Sequence, residues 1–161
     1  MLILNSGGTF NKRYNPINGE LEVPYDNYAI DSILSSVDEK FNIAGVVYKD
    51  SLEIDSNDRK MLASIIMESN EDTFIVVHGT DTMNTTAEFF NEIFDDRKII
   101  LVGAMQPFEI DKIESSFNLG MAIGFAKSLT KYGIYICMNG YVELWNNIDK
   151  NKVKGKFELV K

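Results

Sequence analysis

The sequence has little of several things that would have set its class. It has one cysteine, Cys137, in 161 residues, so it holds no internal disulfide framework and suits a reducing compartment. It has one histidine, His78, and no cysteine cluster, which removes a two-histidine zinc site. No apolar run approaches the ~18 residues of a membrane helix. The start, MLILNSGG, has no positive n-region and reaches glycines too soon for a signal peptide, so the expected location is cytoplasmic. Three prolines and eleven glycines punctuate the chain without a linker, a repeat or a low-complexity tract. No GxGxxG, GxxxxGK[ST] or GxSxG motif occurs, which leaves no phosphate loop and no serine elbow.

Positive charge is also scarce. The net charge is −8. The first 149 residues hold 11 basic and 23 acidic side chains, while the last twelve hold five lysines and one glutamate. An acidic body argues against nucleic acid as partner, because that affinity comes largely from neutralising phosphates. The basic tail is expected to be solvated or paired with the acidic body. What remains is an ordinary globular composition, 45% hydrophobic and 25% charged, at a length of about one domain.

Apolar segments of strand type at 2–4, 43–48, 73–77, 98–102 and 133–138 alternate with helical patterns at 29–37, 57–68, 85–94 and 117–131. The helical faces expected inward include Ile30, Ile33, Leu34 and Val37, and Met61, Leu62, Ile65 and Ile66. Thr85-x-x-Glu88 suggests a capping box, 11–25 reads as a long polar loop, and 157–160 as a short edge strand. Fully apolar strands alternating with helices predict one three-layer α/β domain over 1–161. Its sheet is expected to be doubly wound and mostly parallel, of Rossmann or flavodoxin type. Ligands in such sheets bind beyond the carboxyl ends of the strands. That places 5–25, 49–56, 78–84, 103–115 and 139–152 foremost.

Gly7-Gly8-Thr9 ends the first strand, and two glycines permit a tight turn that presents the Thr9 hydroxyl. Tyr14 follows in the polar loop. His78-Gly79-Thr80-Asp81-Thr82-Met83 joins the third strand to a helix, where Asp81 or Thr82 also has the chemistry of a plain helix cap. The other loops hold Asp50-Ser51-Leu52-Glu53, Gly103-Ala104-Met105-Gln106-Pro107 and Asp149-Lys150-Asn151-Lys152. Cys137, inside an apolar strand, reads as inert packing.

Gly7-Gly8-Thr9-Phe10 and His78-Gly79-Thr80-Asp81-Thr82-Met83, each after a strand, closely resemble the two signature motifs of bacterial-type L-asparaginases. The resemblance runs on through Asn84-Thr85-Thr86-Ala87, Val102 to Pro107 and Asn118. It covers nearly the whole chain but only the family's N-terminal domain, so the chain resembles a short, single-domain form without the usual C-terminal domain.

The resemblance implies hydrolysis of L-asparagine to L-aspartate and ammonia, with no metal and no organic cofactor. Thr9 matches the nucleophile, and Tyr14 the tyrosine that assists it. Thr80 and Asp81 match the second threonine and its acidic neighbour. Lys150 resembles the lysine that completes the set, with Lys152 as its rival. Ser51 matches the residue that holds the substrate α-carboxylate. Gly8 and Gly79 line the turns, and Ala104 and Met105 the amide end. A homodimer is implied as well. Leu52 departs from the pattern, standing where the family often has glutamine. Two alternatives remain open on the sequence: the amide-cleaving subunit of a tRNA amidotransferase, and a non-catalytic amino-acid-binding module.

The chemistry is coherent in itself. A threonine hydroxyl needs a neighbouring base at neutral pH. A phenol is a weak base unless a nearby cation favours its phenolate. An acid–lysine pair beside a second threonine orients water for attack on the ester.

Overall fold

The computed structural model describes residues 1–160. Strand β1 (Leu2–Gly7) is followed by a small hairpin of β2 (Arg13–Asn15) and β3 (Glu20–Glu22), then by helix α1 (Tyr28–Leu34) and β4 (Asn42–Lys49). Next come α2 (Ser56–Glu68), β5 (Thr73–Val77), α3 (Met83–Asn91), β6 (Lys98–Val102), α4 (Lys112–Ser128) and β7 (Gly133–Met138). Three short strands follow: β8 (Tyr141–Leu144), β9 (Ile148–Asn151) and β10 (Lys156–Leu159).

The main sheet runs β4-β1-β5-β6-β7-β8. All its pairs are parallel except β7 with β8. This is the expected mostly parallel α/β sheet, and apart from the antiparallel edge it has the flavodoxin-like order. The apolar strands bury both faces, with alternate residues going to opposite sides. Leu4, Phe74, Val76, Leu101 and Ile136 face α2 and α3. Ile3, Ile75, Val77, Ile100 and Cys137 face α1 and α4. Their burial is the main force holding the three layers, at about 25 cal/mol per Å² of apolar surface removed from water.

The structure corrects several expectations. The segment 11–25 is not wholly a loop: Arg13–Asn15 pairs antiparallel with Glu20–Glu22 across the Asn15-Pro16 and Asn18-Gly19 turn. The third helix starts at Met83, two residues before the expected capping box, and no capping bond forms at its start. The fourth starts at Lys112, capped by the Asp111 side chain on the Ile113 N–H. The segment 157–160 does not edge the main sheet, since β10 pairs with β9 in a separate two-stranded sheet. Met61 and Val37 are about half exposed, not inward, because Leu62, Ala63 and Ile66 already fill the α2 contact and α1 ends at Leu34.

The basic tail meets the acidic body at one point and otherwise pairs within itself. Lys154 and Lys156 pair with Glu158, while Lys150 pairs with Asp81 of the body. No helix among the described residues is long and apolar enough to cross a membrane.

Candidate active site

The chain begins at β1, moves to β4 on one side, and then to β5 on the other. The reversal lies between β1 and β5, which is where sheets of this type open a ligand crevice. The two glycine–threonine segments leave the carboxyl ends of these two strands. The Ser51 turn leaves the end of β4 beside them.

The three turns touch through backbone. Gly8 has φ +75°, and a Cβ there would stand 2.3 Å from the Gly79 nitrogen. A Cβ on Gly79 would stand 2.5 Å from the Ser51 Cβ. Any side chain at either position would wedge the turns apart. The Gly8 N–H donates to the Lys49 carbonyl at 2.8 Å, tying the first turn to the end of β4.

Thr9 opens a single 3₁₀ turn, Thr9–Asn11, and is half-buried. Beneath it Asn5 and Asn11 exchange side-chain hydrogen bonds, and the Asn11 amide donates to the Gly7 carbonyl at 2.7 Å. Asn5 also donates to the Asp26 carbonyl and the Asn27 side chain. This network supports the Thr9 turn, and sequence reasoning misses it. Its one signal is Asn5-Ser6, two polar residues continuing an apolar strand. Both are fully buried.

The second turn assembles three functional groups. The Lys150 ammonium donates to the Thr80 hydroxyl at 2.8 Å and to the Asp81 carboxylate at 2.7 Å. Thr80 is 4% exposed, and the Lys150 side chain is nearly as well covered. A desolvated cation is costly unless paired, and here it has both a carboxylate and a hydroxyl. Lys152 is exposed.

Ser51 is buried, and its Oγ accepts from the Asp81 N–H at 3.2 Å, leaving its own O–H free to donate. Thr82 occupies the helix N-cap position, but its hydroxyl donates to the Ser51 carbonyl at 2.7 Å and locks the two turns together. Leu52 is 73% exposed. It borders a cleft of about 840 Å³ shared with Lys12, Tyr48 and Asp50. Burial works to raise the Asp50 carboxyl, yet hydrogen bonds from Lys12 and the Leu52 N–H hold it below the usual range.

His78 is fully buried, and burial lowers its imidazole to about 4. It is therefore neutral near pH 7, and it serves structure. Nδ1 lies 2.7 Å from the Gly79 carbonyl, which can only accept. This fixes the proton on Nδ1, so Nε2 accepts from the Thr86 hydroxyl at 2.9 Å. Thr86 in turn accepts from Arg59 Nε at 3.0 Å. The Arg59–Thr86–His78 chain thus pins the Gly79 carbonyl, and with it the peptide leading into Thr80. The amide N–H groups of Thr9 and Thr80 have no acceptor among the described residues, which suits an oxyanion site.

Ala104 is buried and Met105 half-buried on the turn after β6. Glu114 accepts from the Met105 N–H, and Asn118 donates to the Gly103 carbonyl, so α4 fixes this turn. Tyr14 stands apart. It is 57% exposed in β2, its backbone N–H donates to Glu109, and its phenol is directed to the hairpin turn near Gly19. It makes no hydrogen bond with Thr9. Among the described residues no group of three or more His, Cys, Asp or Glu is placed to hold a metal ion.

Known proteins resemble this chain in sequence and fold. The model of the asparaginase N-terminal domain matches residues 1–156. A probable periplasmic L-asparaginase of Haemophilus influenzae is 29% identical over 87% of this chain and 43% of its own length. A glutamyl-tRNA(Gln) amidotransferase subunit of Methanococcus maripaludis is 30% identical over 86% of this chain and 34% of its own length. The fold matches the thermostable L-asparaginase of Thermococcus kodakarensis with a TM-score of 0.85. That match has 21% identity and covers 99% of this chain and 50% of the other. The chain therefore spans half or less of the length of these relatives. With its matched motifs at the sheet's switch point, the chain belongs to the asparaginase family, as a counterpart of the family's N-terminal domain.

Proposed function

We propose that this protein hydrolyses the side-chain amide of L-asparagine, releasing ammonia and L-aspartate, through an ester on Thr9. The observation that carries the reading is the Lys150 ammonium bridging Thr80 and Asp81 at the switch point beside the Thr9 turn. That is a covered cation, held between a buried hydroxyl and a partly exposed carboxylate, next to the Thr9 hydroxyl, which has no partner among the described residues.

In the proposed course Thr9 Oγ adds to the amide carbon, and its proton passes to the amide nitrogen. The amide N–H groups of Thr9 and Thr80 receive the oxyanion; one such donor is typically worth about 3 kcal/mol. The tetrahedral adduct collapses, the C–N bond breaks, and the nitrogen leaves as ammonia with a proton in place of the carbon. Thr80, held by Lys150 and Asp81, then directs water at the ester carbon. The acyl C–O bond breaks, aspartate leaves and Thr9 regains its proton. Water is the only co-reactant.

Ser51 donates its free O–H to the substrate α-carboxylate, and the Asp81 carboxylate takes the α-ammonium. Gly8 and Gly79 let the backbone approach the substrate closely, and Ala104 and Met105 border the amide end. For Tyr14 to assist Thr9, the β2–β3 hairpin has to carry its phenol from the Gly19 turn to the Thr9 hydroxyl. The reading includes a cytoplasmic setting and a homodimer, and sedimentation of purified protein tests the latter.

The test is ammonia release from L-asparagine, D-asparagine and L-glutamine, with Thr9→Ala as control. Clean, folded protein that releases nothing over a wide range of L-asparagine overturns the reading. Amide cleavage for a tRNA amidotransferase is a second reading, favoured by the likeness to the Methanococcus protein and opposed by the acidic body. A non-catalytic binding module is a third, motivated by Leu52. Calorimetric binding of asparagine without turnover would favour it.

A further inference from the structure

Lys150 does not belong to the sheet that carries the other site residues. Among the described residues its strand, β9, pairs only with β10. The main sheet therefore fixes neither its height nor its register. Besides the Lys150 contact, and the Phe157 N–H of β10 that donates to the Asn139 side chain at 2.8 Å, two things attach β9 to the domain. Ile148 and Phe157 are buried in the cluster under α2 and α3, which anchors the apolar side. The polar anchor is Asn84, in the first turn of α3. Its Nδ2 donates to the Ile148 carbonyl at 2.7 Å and to the Trp145 carbonyl at 3.1 Å. Two carbonyl acceptors fix which end of the amide is NH₂, and both of its protons are used.

We propose that Asn84 is a positioning residue for Lys150, setting the register at which the β9 hairpin delivers the ammonium to Thr80 and Asp81. The proposal rests on the catalytic reading of Lys150 given above. Asn84 lies three residues beyond Asp81 on one side of the contact, and Ile148 two residues before Lys150 on the other. The path from Asp81 to Asn84, across to Ile148, along to Lys150 and back to Asp81 is a short closed ring. Two of its joints are hydrogen bonds, at Asn84 and at Lys150. Ile148 and Lys150 lie two apart in a strand and so share a face. A slip of one residue would turn Lys150 to solvent and Asp149 toward the site, replacing a cation by an anion. Hydrophobic burial of Ile148 alone is non-directional and sets position loosely. The paired carbonyl bonds are directional and set it sharply.

The experiment measures ammonia release and local hydrogen exchange for Asn84→Ala, Asn84→Asp and Lys150→Met. Asn84→Asp keeps the size and removes both donors. Both Asn84 variants are expected to lose about tenfold in kcat with less than a twofold change in KM, as for a loss of positioning that leaves substrate binding intact. Amide exchange should rise in 145–151 while staying unchanged in β5 and β6. Unchanged kcat in a folded Asn84→Ala protein, or faster exchange confined to α3, would overturn the proposal. Should Asn84→Ala not fold, Asn84→Ser, which retains one donor, carries the same test. An inactive Lys150→Met protein beside a fully active Asn84→Ala protein refutes only this positioning role. A fully active Lys150→Met protein refutes the catalytic reading itself.

Discussion

The Lys150 ammonium stands 2.8 Å from the Thr80 hydroxyl, although 70 residues separate the two in sequence. Lys150 is brought there by a hairpin outside the main sheet, while Thr80 sits at the end of a central strand. Removing the cation leaves Asp81 and Thr80 without their shared partner. Lys150→Met and Thr80→Val are each expected to lower kcat for asparagine by about 10²–10⁴-fold, the usual range for positioned proton-transfer groups. Asp81→Asn removes the counter-charge and is expected to raise KM as well. Steady-state ammonia release checks all three. Lys152→Met, at the exposed rival position, should leave the rate within twofold.

The glycine contacts give a second expectation. Gly8→Ala forces a Cβ onto the Gly79 backbone at a positive φ, and Gly79→Ala forces one onto Ser51. Both neighbours are backbone or short side chain and cannot swing aside. Each variant is expected to lose about 1–3 kcal/mol of stability from overpacking, and Gly8→Ala a further ~1 kcal/mol from backbone strain. Activity should fall more than stability does, since the shift separates Thr9 from Thr80. Denaturant midpoints and ammonia release on the same samples measure the two effects.

Cys137 is fully buried, and burial pushes its thiol up to about 12. The thiolate is the reactive form. Native protein should therefore leave an aromatic disulfide reagent unreacted at pH 8, and unfolded protein should titrate one thiol per chain. Rapid stoichiometric labelling of the native protein would contradict the buried placement.

Leu52 offers a gain-of-function test. It is largely exposed beside Ser51, so a change there disturbs no core. Leu52→Gln supplies an amide next to the Ser51 hydroxyl. We expect KM for L-asparagine to fall by about tenfold with kcat little changed, because a charge-assisted hydrogen bond at the low end of its range is worth about 1.5 kcal/mol. An unchanged KM would place the substrate carboxylate away from this turn.

Much of the fold is legible in the sequence because its signals are local. The five apolar strands and the four helices announce themselves by period. Gly7-Gly8-Thr9 and His78 to Met83 announce their turns by residue type. What stays hidden depends on contacts distant in sequence. The Asn5–Asn11 pair reads as two ordinary polar residues until the turn folds over it. Asn84 looks like any helix-start asparagine, because its acceptors lie more than sixty residues away. The Thr85-x-x-Glu88 pattern misleads because the helix begins earlier, where Thr82 gives its hydroxyl to Ser51 instead of the helix. The choice between Lys150 and Lys152 is also beyond the sequence. Strand alternation makes the two equivalent in facing, and only the docked hairpin distinguishes them.

His78 gives a pH prediction whose sign follows from its burial. Its imidazole is lowered from an ordinary 6.5 to about 4 in the folded protein. Between these values the unfolded chain binds a proton that the folded chain refuses, so unfolding gains on acidification. The contribution is fully present above pH 6.5 and is lost progressively as pH falls toward 4. It amounts to about 3 kcal/mol at most. The physical reason is burial, which strips the water that would solvate a charged ring, with a smaller contribution from repulsion by the Arg59 guanidinium. Urea unfolding midpoints should therefore drop between pH 6.5 and 4.5 in the native protein. His78→Gln can keep the donor to Gly79 but cannot titrate. It is expected to show a flatter profile over the same interval, with a lower stability at pH 7 from the imperfect fit. Equal slopes for the two proteins would remove His78 as the source of the acid sensitivity.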